Sequence, residues 1–392
     1  MAEKLEPDHK VLHLIGGSLF GGATKMVIAI SKDLVAHGFE VHVAASDPTT
    51  VENFAAAGIR AHVRPRIRTS ISPLFDPFAV YGLVRLCRRE GFTVVHTHTS
   101  KAGFVGRLAA RIAGVPHILH TIHGFAFHES SAALAIRVYS VLEKAAARWS
   151  ERLIFVNEFH RQWAIALSIV PPRKTVTIPN GLPELPAHIG RVPTVLRSEL
   201  GLRDDAPVVG AIGRLAPDKR VESVVELMPH VLAEFPSAVL LVVGDGPSKN
   251  AVRETVRRLG VDDNVIMTGF VSDVERYYDL VDVVVMPSVR EGLSISLLEA
   301  MRAGKAIVAT TIGSNTTVVK ADHSALLVPP ESQTALRETV LSLLQNPERA
   351  KTLGRHAREA FDADYREELM LDRARKLYSV LLNTDVGEIN PR

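Results

Sequence analysis

The sequence predicts an α/β protein built from two doubly wound parallel sheets in tandem. Short β-branched runs alternate with helix-like segments, a Pro- and Gly-rich break covers Pro179 to Pro193, and the alternation then restarts. The 392 residues are enough for two domains of ordinary size, and 46% hydrophobic with 23% charged residues suits packed cores.

In the first half, strands are expected at Val11–Ile15, Glu40–Ala44, Thr93–His96, His117–Thr121, Arg152–Val156 and Thr175–Ile178. Helical patterns such as Ala23–Ala36 and Ala102–Ile112 lie between them. After the break, strands are expected at Val208–Ile212, Val239–Val243, Asn264–Met267, Val281–Met286 and Ala306–Ala309. The last stretch, Arg355 to Leu382, reads as charged helix throughout.

The polar start, Met1 to Lys10, lacks the features of a secretory signal, and apolar runs such as Val281 to Met286 are too short to span a bilayer. The single Cys87 excludes an intrachain disulfide framework and fits a reducing cytosol. Residues 1–190 hold 21 basic and 14 acidic side chains, against 25 and 29 in the remainder. A basic first half suits phosphates or an anionic lipid surface, although scattered surface charge gives the same count. Nothing in the chain points to nucleic acid, and oligomeric state leaves no trace in it.

Ligands of such sheets meet the carboxyl ends of strands, so the loops there matter most. The first strand ends in Gly16-Gly17-Ser18-Leu19-Phe20-Gly21-Gly22, where backbone can approach an anion at a helix start. A tight structural turn reads the same way. Asp47, after the second strand, is placed as a dinucleotide-binding acid would be, but the glycine spacing is not that of the dinucleotide motif. The first strand of the second half leads into Gly213-Arg214-Leu215-Ala216-Pro217-Asp218-Lys219. Two cations at a helix start make a diphosphate site, Arg214 as a fork and Lys219 as a point charge.

The sharpest pattern is Pro287 to Met301, with Glu291 before a helix that starts near Ser294 and Glu299 inside it among apolar neighbours. A carboxylate there needs a partner. A ribose diol is one and a core arginine is another. His123 follows the strand His117–Thr121 and can donate to a sugar hydroxyl or a developing charge. Histidines crowd this region (His96, His98, His117, His120, His123, His128), but the neighbouring segments supply only Glu129 to complete a metal site, and none is expected. Asp362-Ala363-Asp364 follows no strand and reads as a solvated helix face.

Together these motifs resemble the family 4 glycosyltransferases, which have the GT-B fold, from the first glycine loop to about Pro330. The resemblance implies two Rossmann-like domains with a deep cleft between them, residues 1–183 on the acceptor side and 195–365 binding a nucleotide-sugar. A C-terminal helix, about 366–392, is expected to cross back to the first domain. The E-x7-E pair, Glu291 and Glu299, would contact the donor sugar and the ribose respectively. Gly16, Gly17, Arg214, Lys219, Gly292, Leu293, Ser294 and Ile295 would border the donor, and His123 its sugar. Asn180-Gly181 matches the family's Pro-Asn-Gly that closes the first domain.

The stretches His96 to Gly103 and Thr121 to Glu129 are similar to bacterial members that build capsule, exopolysaccharide or O-antigen units on polyprenyl-diphosphate acceptors. The implied reaction is retaining and metal-independent, with His123, Glu291, Arg214 and Lys219 as its catalytic residues. It moves a hexose or N-acetylhexosamine, from a UDP-sugar in preference to a GDP-sugar, and requires no cofactor.

Ser100, Lys101 and Arg107, on one expected helix, could cradle the acceptor diphosphate. Arg137, Lys144 and Arg148 share a helical face and could rest on the inner membrane surface, as could Arg60, Arg64, Arg66 and Arg68; solvated faces look alike. The chain departs from the family pattern at Ser294, Asn157-Glu158 and Thr317. A non-hydrolysing nucleotide-sugar epimerase of the same fold and a non-catalytic binding partner are the competing readings.

Overall fold

A computed structural model describes residues 9–16, 22–63, 76–129, 131–185 and 193–382. The chain divides into two compact units, Met1–Asn180 with Glu368–Arg392, and Gly181–Glu367.

The first unit holds a sheet of β1 (Lys10–Ile15), β2 (Glu40–Ala45), β3 (Arg60–Val63), β4 (Val94–His98), β5 (His117–Ile122), β6 (Arg152–Phe155) and β7 (Thr175–Thr177). Its order is β3-β2-β1-β4-β5-β6-β7 and every pairing is parallel. The second unit holds β8 (Val208–Ile212), β9 (Val239–Val243), β10 (Val265–Gly269), β11 (Val283–Met286), β12 (Ala306–Thr310) and β13 (Leu326–Val328). These run parallel in the order β10-β9-β8-β11-β12-β13. The strands read as near-continuous apolar runs because helices cover both faces of a parallel sheet. The fold is therefore the doubly wound α/β pair the sequence predicts.

The strand order reverses between β1 and β4 in one sheet and between β8 and β11 in the other. Crevices open at the carboxyl ends of strands at such points. The Gly16 loop and Ser100 follow β1 and β4; the Gly213 loop and Pro287 to Ser294 follow β8 and β11. Topology thus puts Gly16 beside Ser100, and the Gly213 loop beside Pro287 to Ser294.

Two strands were not expected. β3, Arg-Ala-His-Val, is an edge strand with no fully buried residue, so it lacks the apolar run of its neighbours. β13 has only three residues. β4 also runs on to His98, with all five residues buried, although His-Thr-His looks polar in sequence.

The C-terminal stretch is not one helix. Pro347–Asp364 ends at Tyr365, and Glu367–Leu382 starts two residues later. The amide of Leu182 donates to the carbonyl of Tyr365, and that of Glu367 to the carbonyl of Leu182, both at 2.9 Å. Gly181 allows this approach, since a Cβ on it would lie 2.5 Å from the Arg366 carbonyl oxygen. The final helix then buries Tyr378 and Leu381 against Val11, Val41 and Phe54 of the first unit's core. Among the described residues no helix is long and apolar enough to cross a membrane.

Candidate active site

In the second unit, β8 leads into Gly213, whose φ of 142° favours glycine. A Cβ there would lie 2.8 Å from Ser296 Oγ, so the glycine lets the loop reach the start of the helix Ile295–Arg302. The chain turns at Pro217–Lys219, and the amide of Val289 donates to the carbonyl of Asp218 at 2.9 Å. That bond ties the cationic loop to the loop carrying Glu291. The Lys219 ammonium and the Glu291 carboxylate form an ion pair, with the Glu291 side chain 7% exposed. Arg214 is 54% exposed and 3.7 Å from Asp218, a loose contact that leaves its fork open to solvent.

Ser294 caps the helix, its hydroxyl accepting from the Leu297 amide. The turn Gly292-Leu293-Ser294-Ile295 buries Leu293 and leaves backbone N–H groups at the helix start. Glu299 is half-buried one turn into that helix. The hydroxyl of Tyr278 lies 3.2 Å from Glu299 Oε2 and 3.0 Å from the carbonyl of Ser296. Burial, reinforced by this carboxylate, holds the Tyr278 hydroxyl well above the ordinary tyrosine range. Arg302, three residues on in the same helix, donates to Glu275 and to the carbonyl of Pro183.

In the first unit, Gly16 is a packing glycine as well as a loop residue, because a Cβ on it would lie 2.5 Å from Ala102 Cβ. Gly17, Arg64, Arg66 and Arg68 lie outside the described residues. Ser100 opens the helix Ser100–Ala113, but the expected diphosphate cradle does not form. Arg107 is fully buried, donating to the carbonyl of Gly103 at 2.8 Å and to Glu143 at 3.1 Å. It faces the inside of the helix layer because it lies four residues after the buried Gly103 and three before the buried Ala110, on the same stripe. Lys101 is ion-paired with Asp76 at 2.9 Å and is 10% exposed.

His123 closes a run of imidazoles: its Nε2 is 3.2 Å from His98 Nδ1, and His98 Nε2 is 3.0 Å from His13 Nδ1. His96 is stacked on His98 and bonded to Thr121 Oγ1 and the Tyr378 hydroxyl, both at 2.7 Å. Burial holds His13 down to about 3 and His123 to about 4, and His96 and His98 well below the ordinary range, so all four rings are neutral. A cavity of about 30 Å³, beside His96, His98, His123, Asn180 and Tyr378, has room for a water molecule. Ring nitrogens of His13, His96 and His98 come within 4.8 Å of one another, but both nitrogens of His96 and of His98 are already hydrogen-bonded. His13 was not among the residues singled out from the sequence. The signal for it was one polar residue inside an otherwise apolar buried strand.

Other candidates have local work. Asp47 caps the helix Pro48–Ala56, accepting from the amide and hydroxyl of Thr50. Asp362 is held by Arg358 at 2.9 Å. His117 meets Glu151, and His120 meets Thr97. Asn157 caps the helix Glu158–Ala166, and Glu158 is held down to about 2, chiefly by Arg161.

Two family models divide the chain: the glycosyl transferase 4-like domain matches residues 21–181, and glycosyl transferases group 1 matches 194–360. An Escherichia coli UDP-Gal:alpha-D-GlcNAc-diphosphoundecaprenol alpha-1,3-galactosyltransferase is 28% identical, over 81% of this chain and 84% of that one. The capsular polysaccharide biosynthesis glycosyltransferase CapM of Staphylococcus aureus is 22% identical, over 89% and 92%. The crystal structure of Anabaena HepE with UDP and glucose superimposes with a TM-score of 0.81 at 20% identity, over 95% of this chain and 99% of that one. The chain therefore belongs to the family 4 glycosyltransferases, enzymes of the GT-B fold.

Proposed function

We propose that this glycosyltransferase moves a hexose or N-acetylhexosamine from a UDP-sugar to a diphosphate-linked lipid saccharide, with retention of anomeric configuration and without a metal ion. The observation that carries this reading is the junction of the Lys219 and Glu291 loops beside the start of the helix Ile295–Arg302. A departing nucleoside diphosphate gathers negative charge. Arg214, Lys219 and the N–H groups at that helix start meet the charge, which is the work a metal ion does in other transferases. Glu299 accepts from the ribose hydroxyls, and Glu291 and His123 address the sugar. No carboxylate is assigned as a covalent nucleophile, so leaving diphosphate and incoming hydroxyl share one face of the sugar.

The lipid-linked acceptor is supported by the activity of the Escherichia coli relative. A surface on the first unit suits it. The helix Ala133–Ala147 exposes Leu134 (74%), Val138, Val141 and Leu142, with Arg137, Lys144 and Arg148 exposed along the adjoining stripe. Apolar and basic stripes side by side fit the interface of an anionic bilayer, each cation contributing about 1 kcal/mol.

The test is product analysis with UDP-hexoses and a lipid-diphosphate saccharide in EDTA. A glycosylated lipid with the donor's anomeric configuration supports the proposal. Inverted product, or turnover only with added metal, refutes the mechanism, and a changed sugar nucleotide without acceptor selects the epimerase.

A further inference from the structure

Three of the buried histidines form a chain whose hydrogen bonds leave few choices for the protons. His13 Nδ1 meets His98 Nε2 at 3.0 Å, and His98 Nδ1 meets His123 Nε2 at 3.2 Å. His13 Nε2 and His123 Nδ1, the two ends, are buried without a hydrogen-bond partner among the described residues. A neutral imidazole carries one N–H and one bare nitrogen, and each contact needs one of each. Only two arrangements satisfy both contacts. In one, His13 donates to His98 and His98 to His123, leaving a bare nitrogen at His13 and an Nδ1–H on His123. In the other every bond is reversed, leaving an N–H at His13 and a bare nitrogen on His123.

The surroundings of the two ends distinguish them. His13 is 0% exposed and does not border the cavity, so an N–H there meets no acceptor among the described residues. His123 borders the cavity, which has room for a water molecule, so an N–H at that end has a place for an acceptor. An orphaned buried N–H is the rarer and less tolerable defect.

We propose that His13 and His98 are positioning residues that lock His123 in its Nδ1–H form, a fixed hydrogen-bond donor to an oxygen of the donor sugar. His96 packs against the chain from the side. It stacks on His98 with ring centroids 4.3 Å apart and is pinned by Thr121 and by Tyr378 of the C-terminal helix. The role of His123 toward the sugar rests on the function proposed above, whereas the locked tautomer does not.

The experiment is ¹⁵N NMR of the histidine rings in the ligand-free full-length protein, with His123 identified by the signal lost in His123→Gln. The expected result is a proton on Nδ1 of His123, and a proton on Nε2 or a charged ring overturns the proposal. In His98→Leu the lock is gone, so His123 shifts to Nε2–H and kcat falls roughly tenfold, the worth of one neutral hydrogen bond. His98→Asn, whose amide overlays Nδ1, keeps the native tautomer and most of kcat, and it serves if the leucine variant does not fold. An unshifted tautomer in a folded His98→Leu protein also overturns the lock. Native Nδ1–H with full turnover in His123→Gln supports the lock and removes the sugar contact instead.

Discussion

Replacing Glu299 with alanine separates donor binding from folding. Its carboxylate is proposed to accept from both ribose hydroxyls, and losing a charge-assisted contact of that kind costs about 1.5–3 kcal/mol. Affinity for the nucleoside diphosphate should therefore fall roughly tenfold to hundredfold. Stability should hardly change. Tyr278 keeps the carbonyl of Ser296 at 3.0 Å as an acceptor, so truncating Glu299 strands no buried hydroxyl. Alanine is also the best residue for the interior of the helix Ile295–Arg302. Calorimetric titration of the native and Glu299→Ala proteins with UDP, beside their thermal unfolding, checks both halves. A dissociation constant within about twofold of native, with the fold intact, would refute the ribose assignment. If Tyr278 acts through Glu299, the affinity losses of Tyr278→Phe and Glu299→Ala will not add in the double variant.

Lys219→Met removes the cation paired with Glu291 and proposed to meet the diphosphate; kcat/KM should fall at least tenfold, read from initial rates in EDTA. Arg107→Met leaves the Glu143 carboxylate without its guanidinium partner and should destabilise the first unit by about 3–5 kcal/mol in urea unfolding, with UDP affinity unchanged. Acid should unfold the first unit early. The folded-state values of His13 and His123, about 3 and 4, lie below the ordinary 6.5, so the unfolded chain binds more protons as pH falls. Stability is whole above pH 6.5 and drops by up to about 1.4 kcal/mol per pH unit for each such ring until the folded values are reached. Denaturant midpoints that stay level from pH 7 to 5 would contradict this.

The sequence by itself determined the doubly wound pair of sheets and the positions of the loops at their strand ends. Both follow from local rules: apolar runs of strand length, and glycines and cations placed just after them. Ser294 as a helix cap and the interior position of Glu299 were legible for the same reason, since capping and helical period act over a few residues. Asp362, which follows no strand and reads as helix surface, is paired with Arg358 one turn before it. Long-range packing decided the rest. Arg107 looked available because its charge suggested solvent, but burial depends on which face of its helix meets the layer beside Glu143. His13 was invisible as a partner of His98, since the two lie 85 residues apart and meet only because β1 and β4 pair in the sheet. The break at Tyr365, where Leu182 replaces helical hydrogen bonds, likewise depends on two distant segments, and no local pattern marks where the chain turns back toward the first unit.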